Sequence, residues 1–381
     1  MHAPLDPLLR TQWRPLASLA GDAAAWRELA ARALEPNVFY EPSFALAAAP
    51  VFAPDAGALL VSSAAGRLLG LFPLRIERRR YGCPPAALTG FVHPYAPLGT
   101  PLIDRDHADA VFDAFFDYLE RDEAVPSLLL LPLLPEEGLL SAALERALTR
   151  RALRRARFGR HRRAQLVPGA ERAHYIEQAV STKLRKELNR KRRRLGEMGE
   201  VRQQTVAEPP AMTNMLDHFL NLEASGWKGR AGTAAANDPR VRAFLEKALA
   251  DLSAEGKASG DMLSVGNRPV AAAILLRSGA TAWDWKIAYD EDYARFSPGV
   301  QLTFDLTRSL LADESITRVD SCATEDHPMI DRLWRERLAL CDHLIGLERG
   351  GALMFLIARG LEGARRALIS VAKGVRGLIK R

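Results

Sequence analysis

Apolar residues along the first 160 positions fall into two rhythms. AAAWRELAARAL, near 22–34, repeats its apolar positions at helical spacing behind Asp22, which is placed to cap it. After NVFYEPSF a short helix is predicted through Phe44–Ala49. ALLVSS (58–63) and RLLGLFPLRIERR (67–79) read as two strands of a hairpin joined by AAG. HADAVFDAFFDYLER has the 3.6-residue period of an amphipathic helix, and SLLLLPLL (127–134) is a short apolar run expected to be a buried strand. EEGLLSAALERALTRRALRR is predicted helical to its end.

A second series starts near Gln165. GAERAHYIEQAVSTKLRKELNRKRRRLGEMG predicts a very basic helix, EVRQQTVAE (200–208) a strand, and AMTNMLDHFLNLEASGW another helix. DPRVRAFLEKALADLSAEG follows with Asp238 capping and Pro239 in the first turn. Three strands are predicted at 261–267, 268–279 and 280–290. The loop EDYARFSPG leads into a helix, VQLTFDLTRSLLAD, and ITRVDSCA (316–323) is the last predicted strand. Each half thus mixes antiparallel strands with flanking helices, an α/β (α+β) layout. The expected division is 1–165, 166–346 and a tail at 347–381.

A length of 381 residues fits two to three domains, and 48% hydrophobic content is enough for each to bury a core. The net charge of +7 hides a stronger pattern. Residues 146–163 carry +9, 183–194 carry +7 and 353–381 carry +6, which leaves −15 for the rest of the chain. Positive charge this local predicts contacts with anions at defined places: cofactor phosphates, nucleic acid or lipid headgroups. The three cysteines, Cys83, Cys322 and Cys341, have no metal-ligand spacing, so neither a metal module nor a disulfide scaffold is expected and a cytoplasmic protein fits. No secretory signal and no stretch long enough to span a bilayer is seen. GxxxxGK[ST], GxGxxG after a strand, and GxSxG are all absent, which argues against P-loop, dinucleotide-binding and serine-hydrolase chemistry.

Candidate chemistry concentrates at 280–334. Ser297-Pro298-Gly299-Val300-Gln301 opens a helix directly after a strand, and such a helix start offers unpaired N–H groups and a positive dipole end to a phosphate. In WDWKIAYD, strict alternation would put Trp283, Trp285, Ile287 and Tyr289 on one face and Asp284, Lys286 and Ala288 on the other. VDSCATEDHPMIDRLW places Asp320 near a strand end and His327 in the next loop, the usual makings of a general base. Cys322 beside His327 is a weaker thought as a nucleophile pair, since small cysteines usually pack. In the first half, Glu41, His93 and Tyr95 sit in proline-rich loops and are candidates for lining a substrate cleft.

The second half resembles the GNAT-superfamily acyltransferases, specifically the BioF2-like or CelD-like acetyltransferase branch related to the FemAB group. The resemblance rests on an ordered set: STKLRKELNRKRRRLGEMGEV, LEASGWKGRAGTA, the DPRVRAFLEKAL helix, NRPVAAAILLRSG, WDWKIAYDEDYARFSPGVQL and VDSCATEDHPMIDRLW, over roughly 170–340. NVFYEPSF and HPYAPLGTPLID in the first half are also similar to the family. The resemblance implies two GNAT-like domains in tandem, the first degenerate. It implies acyl-CoA or acetyl-CoA as co-substrate, held at 297–301, and direct attack of an amine on the thioester. An oxyanion donor is expected on the WDWKIAYD strand. The base candidates are Asp320, His327 and Glu223, with Lys286 nearby, and Trp227 and Trp285 are candidate acceptor contacts. The chain departs from many relatives in having only SPGVQ where they carry a glycine-rich loop, and DSCATEDHPMIDRLW where they carry a glycine-rich segment with a lysine before the tryptophan.

In GALMFLIARGLEGARRALISVAKGVRGLIKR, Ile357, Leu361, Ala364, Leu368, Val371, Val375 and Leu378 recur at helical spacing among arginines and lysines. That is the pattern of an interfacial helix on an anionic membrane, each basic residue adding about 1 kcal/mol near the surface. The expected acceptor is an amine of an envelope precursor, an amino sugar of a surface polysaccharide or a sphingoid-type lipid base, met at the inner membrane surface. The alternatives are a FemAB-like transferase using aminoacyl-tRNA, with the basic runs gripping RNA, and a non-catalytic binding protein. The basic runs contain almost no aromatics besides Phe158 for base stacking, so nucleic acid is the less expected partner.

Overall fold

A computed structural model describes residues 9–80, 82, 85–169 and 172–379. In chain order these form β1 (Arg10–Pro15), α1 (Ala23–Ala31), α2 (Pro42–Phe52), β2 (Gly57–Ser62), β3 (Leu68–Glu77), β4 (Ala87–Gly90), β5 (Leu102–Ile103), α3 (Ala108–Arg121), β6 (Leu128–Pro135), α4 (Leu139–Arg150) and β7 (Arg154–Leu166). They continue with α5 (Tyr175–Ala179), α6 (Thr182–Gly196), β8 (Val201–Val206), α7 (Pro209–Ser225), α8 (Trp227–Arg230), α9 (Pro239–Ala254), β9 (Ala258–Val265), β10 (Arg268–Ser278), β11 (Thr281–Tyr289), α10 (Pro298–Ala312), β12 (Arg318–Asp320), β13 (Glu336–Gly346) and α11 (Gly351–Ile379). Cys83 lies outside the described residues.

The chain divides into two compact units. The first contains the chain up to Pro42, Phe52–His161 and the residues from Ala339 onward; the second contains Ser43–Val51 and Arg162–Leu338. The division at 161/162 falls within a few residues of the boundary read from sequence, but the chain returns to the first unit at Ala339.

In the first unit β1, β2, β3 and β4 pair antiparallel in sequence order, β4 pairs parallel with β6, and β13 pairs antiparallel with β6. The helix α3 connects the parallel pair, burying Phe112, Phe115, Phe116 and Leu119 against Leu59, Phe72, Leu88 and Leu129 of the sheet. Phe72 and Phe115 stack at 4.1 Å between ring centroids.

The second unit repeats the scheme. β8, β9, β10 and β11 pair antiparallel, β11 pairs parallel with β12, β12 pairs antiparallel with the end of β7, and α10 connects the parallel pair. Each unit is therefore an antiparallel run closing on a parallel pair with a helix between. This is the tandem mixed-sheet architecture expected from the sequence, although no sequence repeat announces it.

The two equivalent helix starts differ in chemistry. Upstream of α3 the buried Asp104 is ion-paired to Arg32 (2.5 Å) and bonded to His107 (2.8 Å), and Asp109 sits in the first turn. Carboxylates already occupy the positive end of that helix dipole. No acid stands in the first turn of α10. The start of α3 is thus already occupied by carboxylates, and that of α10 is not.

Three local expectations are corrected. The arginine-rich stretch after 150 is not helical: Ala152 adopts φ 49°, a left-handed backbone that ends α4, and the chain continues as β7. Strict alternation in β11 does not hold, because Ile274 pairs with Lys286 while Leu275 pairs with Asp284, a β-bulge at Trp285. β1 and β13 were not foreseen, and each pairs with a strand far away in sequence or outside a recognisable hairpin.

Candidate active site

The parallel strands β11 and β12 pair over three residues only, ending at Trp283 opposite Asp320. Beyond that point β11 runs on while β12 stops, and a cleft of about 480 Å³ opens in the second unit. One wall is Asp284–Ile287 and Tyr289, the other Ser321–Ala323 with His327–Ile330. Trp227 and Lys228 line it from α8, and Ser297, Pro298, Gly299 and Val300 line it from the start of α10.

The helix start is built for close approach. Ser297 has φ 54° and ψ 53°, a left-handed conformation that turns the chain sharply before Pro298 at the first helical position. A Cβ at Gly299 would stand 3.2 Å from Tyr289 and 3.6 Å from Met329 Sδ, so a side chain there would fill the cleft mouth. Gln301 points elsewhere: it is buried and its amide donates to the Phe296 carbonyl (2.9 Å), bracing the turn. Lys191 of α6 donates to Ser297 Oγ at 2.8 Å. Lys191, which is also ion-paired to Glu187 (2.8 Å), thus stands beside a helix N-terminus.

The bulged strand carries two titratable side chains of the cleft, Asp284 and Lys286. Asp284 is buried, and its Oδ1 has no hydrogen-bond partner. Burial, reinforced by the nearby Asp261 carboxylate, pushes its carboxyl up to about 7. Lys286 is half-buried, and burial together with Lys228 lowers its ammonium to about 8. Trp285 is packed edge-on against Phe44 of α2 at 5.5 Å. His327 Nδ1 is also buried without a hydrogen-bond partner. Cys322 lines the cleft at φ 52°, and its thiol is held well above the ordinary range by burial and by Asp320. A thiol kept neutral in this way is a poor nucleophile.

Two sequence candidates are committed elsewhere. Asp320 is buried in an ion pair with Arg163 and accepts the Cys322 backbone N–H at 3.0 Å, fixing the strand end. Glu223 accepts from Lys228 (2.5 Å) and from the Ala235 backbone N–H (2.8 Å), tying α8 and the turn after it to α7. Trp227, at the cleft edge, is 59% exposed. Glu41, His93 and Tyr95 lie in the first unit. Glu41 ends the turn at Val38–Tyr40, and Phe52 stacks on His93 at 4.1 Å and meets Tyr95 at 5.5 Å. Sequence reasoning did not single out Asp284 or Lys191. The only signal for Lys191 was its basic run, and for Asp284 there was none beyond its place beside Lys286.

Among the described residues no group of three or more His, Cys, Asp or Glu side chains is arranged to hold a metal ion.

A parallel pair that parts over a cleft, with a helix start at its mouth, lies within the stretch that the family comparison picks out. Residues 182–327, all within the second unit, are similar to the family described as an acetyltransferase (GNAT) domain. The fold as a whole is shared with several solved structures. A conserved protein of unknown function from Bacteroides thetaiotaomicron VPI-5482 matches at TM-score 0.56 and 12% identity, covering 89% of this chain and 100% of that one. FemX matches at TM-score 0.57 and 8% identity, covering 85% and 95%. The C-terminal domain (DUF2156) of a putative lysylphosphatidylglycerol synthetase from Agrobacterium fabrum matches at TM-score 0.52 and 13% identity, covering 88% and 94%. No curated protein sequence matches this chain.

Proposed function

We propose that the protein is an acyl-CoA-dependent N-acyltransferase that acylates a primary amine by direct attack on the thioester. The observation that carries this reading is one cleft bordered both by the α10 start, where Lys191 is bonded to Ser297, and by the buried Asp284, whose Oδ1 has no hydrogen-bond partner and whose carboxyl stands at about 7. The first suits the pyrophosphate of coenzyme A. The second suits removal of a proton from an ammonium near neutral pH. In the reaction Asp284 takes the proton from the acceptor ammonium and the free amine attacks the thioester carbonyl. Backbone donors around the Trp285 bulge stabilise the oxyanion, and the thiol of coenzyme A leaves. His327 and Lys286 face the same space and are placed to orient the amine or pass the proton onward. The neutral Cys322 supports direct transfer over an acyl-enzyme.

Acceptors consistent with the cleft are an amino sugar of a surface polysaccharide precursor, whose ring would lie on Trp227, or a sphingoid-type lipid base. An aminoacyl-tRNA donor is the less supported alternative. Much of the 146–163 run is already paired: Arg146 and Arg150 with Asp109, Arg151 with Asp117, Arg155 and Arg157 with Glu145, and Arg160 with Glu136. Arginines so neutralised offer little to a phosphate backbone.

The test is release of free thiol from acetyl-CoA and from a long-chain acyl-CoA in the presence of a panel of hexosamines and sphingoid bases. Amine-dependent release that falls by about 10²–10⁴-fold in Asp284→Asn is the expected result. Transfer from aminoacyl-tRNA with none from either thioester would replace this reading with the alternative.

A further inference from the structure

The last helix, α11, has two unlike sides. On one, Phe355 and Ala358 are buried against Ala87, Leu128, Leu130 and Leu344 of the first unit. On the same side the fully buried Glu362 binds Arg80 at 3.0 Å and Arg366 at 2.7 Å, and Arg366 also pairs with Asp342. These contacts fix the rotation of the helix about its axis.

At about 100° per residue, the opposite side presents Leu353, Leu356, Ile357, Ala364, Leu368 and Val371 in one stripe. Leu353, Leu368 and Val371 are each at least 65% exposed, and Leu356 is 55% exposed. The stripe runs about 27 Å along the helix. Among the described residues of the first unit nothing covers it, because the buried side already faces that unit. Arg359 and Arg365 flank it, one on each edge. Among the described residues no helix is long and apolar enough to cross a membrane.

We propose that this stripe docks α11 side-on onto an anionic lipid bilayer. An apolar strip held outward by a buried ion pair is costly to leave in water. The charge selects the occupant. Residues 353–381 carry a net +6, and the one acid in that segment, Glu362, is turned inward and neutralised. A second copy of this helix would bring the same positive charge to the contact, whereas an anionic leaflet attracts it while accepting the leucines. The inference stands apart from the acyl-transfer reading, since no residue of the cleft takes part.

The experiment is flotation of the full-length protein with vesicles of phosphatidylcholine alone and of phosphatidylcholine mixed with phosphatidylglycerol. It is repeated on Leu356→Ser/Leu368→Ser, with circular dichroism, a thermal melt and light scattering on both proteins. The expected result is binding to the mixed vesicles that weakens with salt, little binding to phosphatidylcholine, and a loss of about tenfold or more in the variant at unchanged fold. Because both substituted side chains are exposed, the variant should fold. Failure to bind anionic vesicles, or equal binding by the variant, overturns the proposal. So does a dimer that the double substitution dissociates, which would make a second copy the occupant.

Discussion

Replacing Asp284 with Asn should stabilise the protein, and by an amount that depends on pH. The carboxyl stands at about 7 when folded against 3.8 for an ordinary aspartate, because burial and Asp261 oppose its ionised form. A raised carboxyl holds its proton in the folded state while the unfolded chain has lost it. Its contribution is therefore intact below about pH 4 and is lost progressively as pH rises toward 7. At about 1.36 kcal/mol per unit, the full cost above pH 7 is on the order of 4 kcal/mol. Between pH 5 and pH 8 the stability gap between the variant and the parent should widen by up to about 3 kcal/mol. Comparing two pH values cancels any constant cost of seating an amide in the same space. Thermal melts at both pH values are the assay, and about 2–4 °C per kcal/mol predicts a gap several degrees larger at pH 8. Asp261→Asn serves as a control, since its carboxyl is also raised by burial and removing it should relax Asp284. A gap that is the same at pH 5 and pH 8 would refute the claim that burial and Asp261 hold the Asp284 carboxyl protonated.

Other consequences follow from the same contacts. Cys322→Ala should retain most of the transfer rate, measured by thiol release, because the thiol stays neutral and takes no acyl group. The rate should rise with pH through about 7 as Asp284 gives up its proton, and that limb should vanish in Asp284→Asn. Lys191→Met should raise KM for the acyl-CoA with little change in kcat, since the lysine stands at the α10 start, bonded to Ser297 and paired with Glu187, and not among the reacting groups. Arg163→Met should cost about 3–5 kcal/mol in denaturant unfolding, because it strands the buried Asp320 carboxylate.

Much of the second unit was legible because its strands are short, contiguous and joined by tight turns. The strands at 258–265, 268–278 and 281–289 and the helix at 298–312 lie close to their expected limits. The helix start at Ser297 was readable from its local Ser-Pro-Gly chemistry. What escaped depends on distance along the chain. β13 pairs with β6, some two hundred residues earlier, and nothing in RERLALCDHLIG names that partner. Lys191 meets Ser297 across 106 positions. Arg154 and Arg155 of β7 read as the end of a helix, because the Glu145 carboxylate that pairs with Arg155 is fixed only by the fold. Asp284 was hidden by alternation, which gives no hint that a bulge at the next residue and burial beside Asp261 would set its chemistry.

The central claim is that the cleft of the second unit binds an acyl-CoA at the start of α10. Calorimetric titration of the protein with acetyl-CoA and with a long-chain acyl-CoA, repeated on Gly299→Trp, tests it most directly. The account predicts micromolar binding to at least one donor that disappears in the variant, whose indole would fill the mouth beside Tyr289 and Met329. Undiminished binding by the variant, or no binding of either donor to the parent protein, would contradict it.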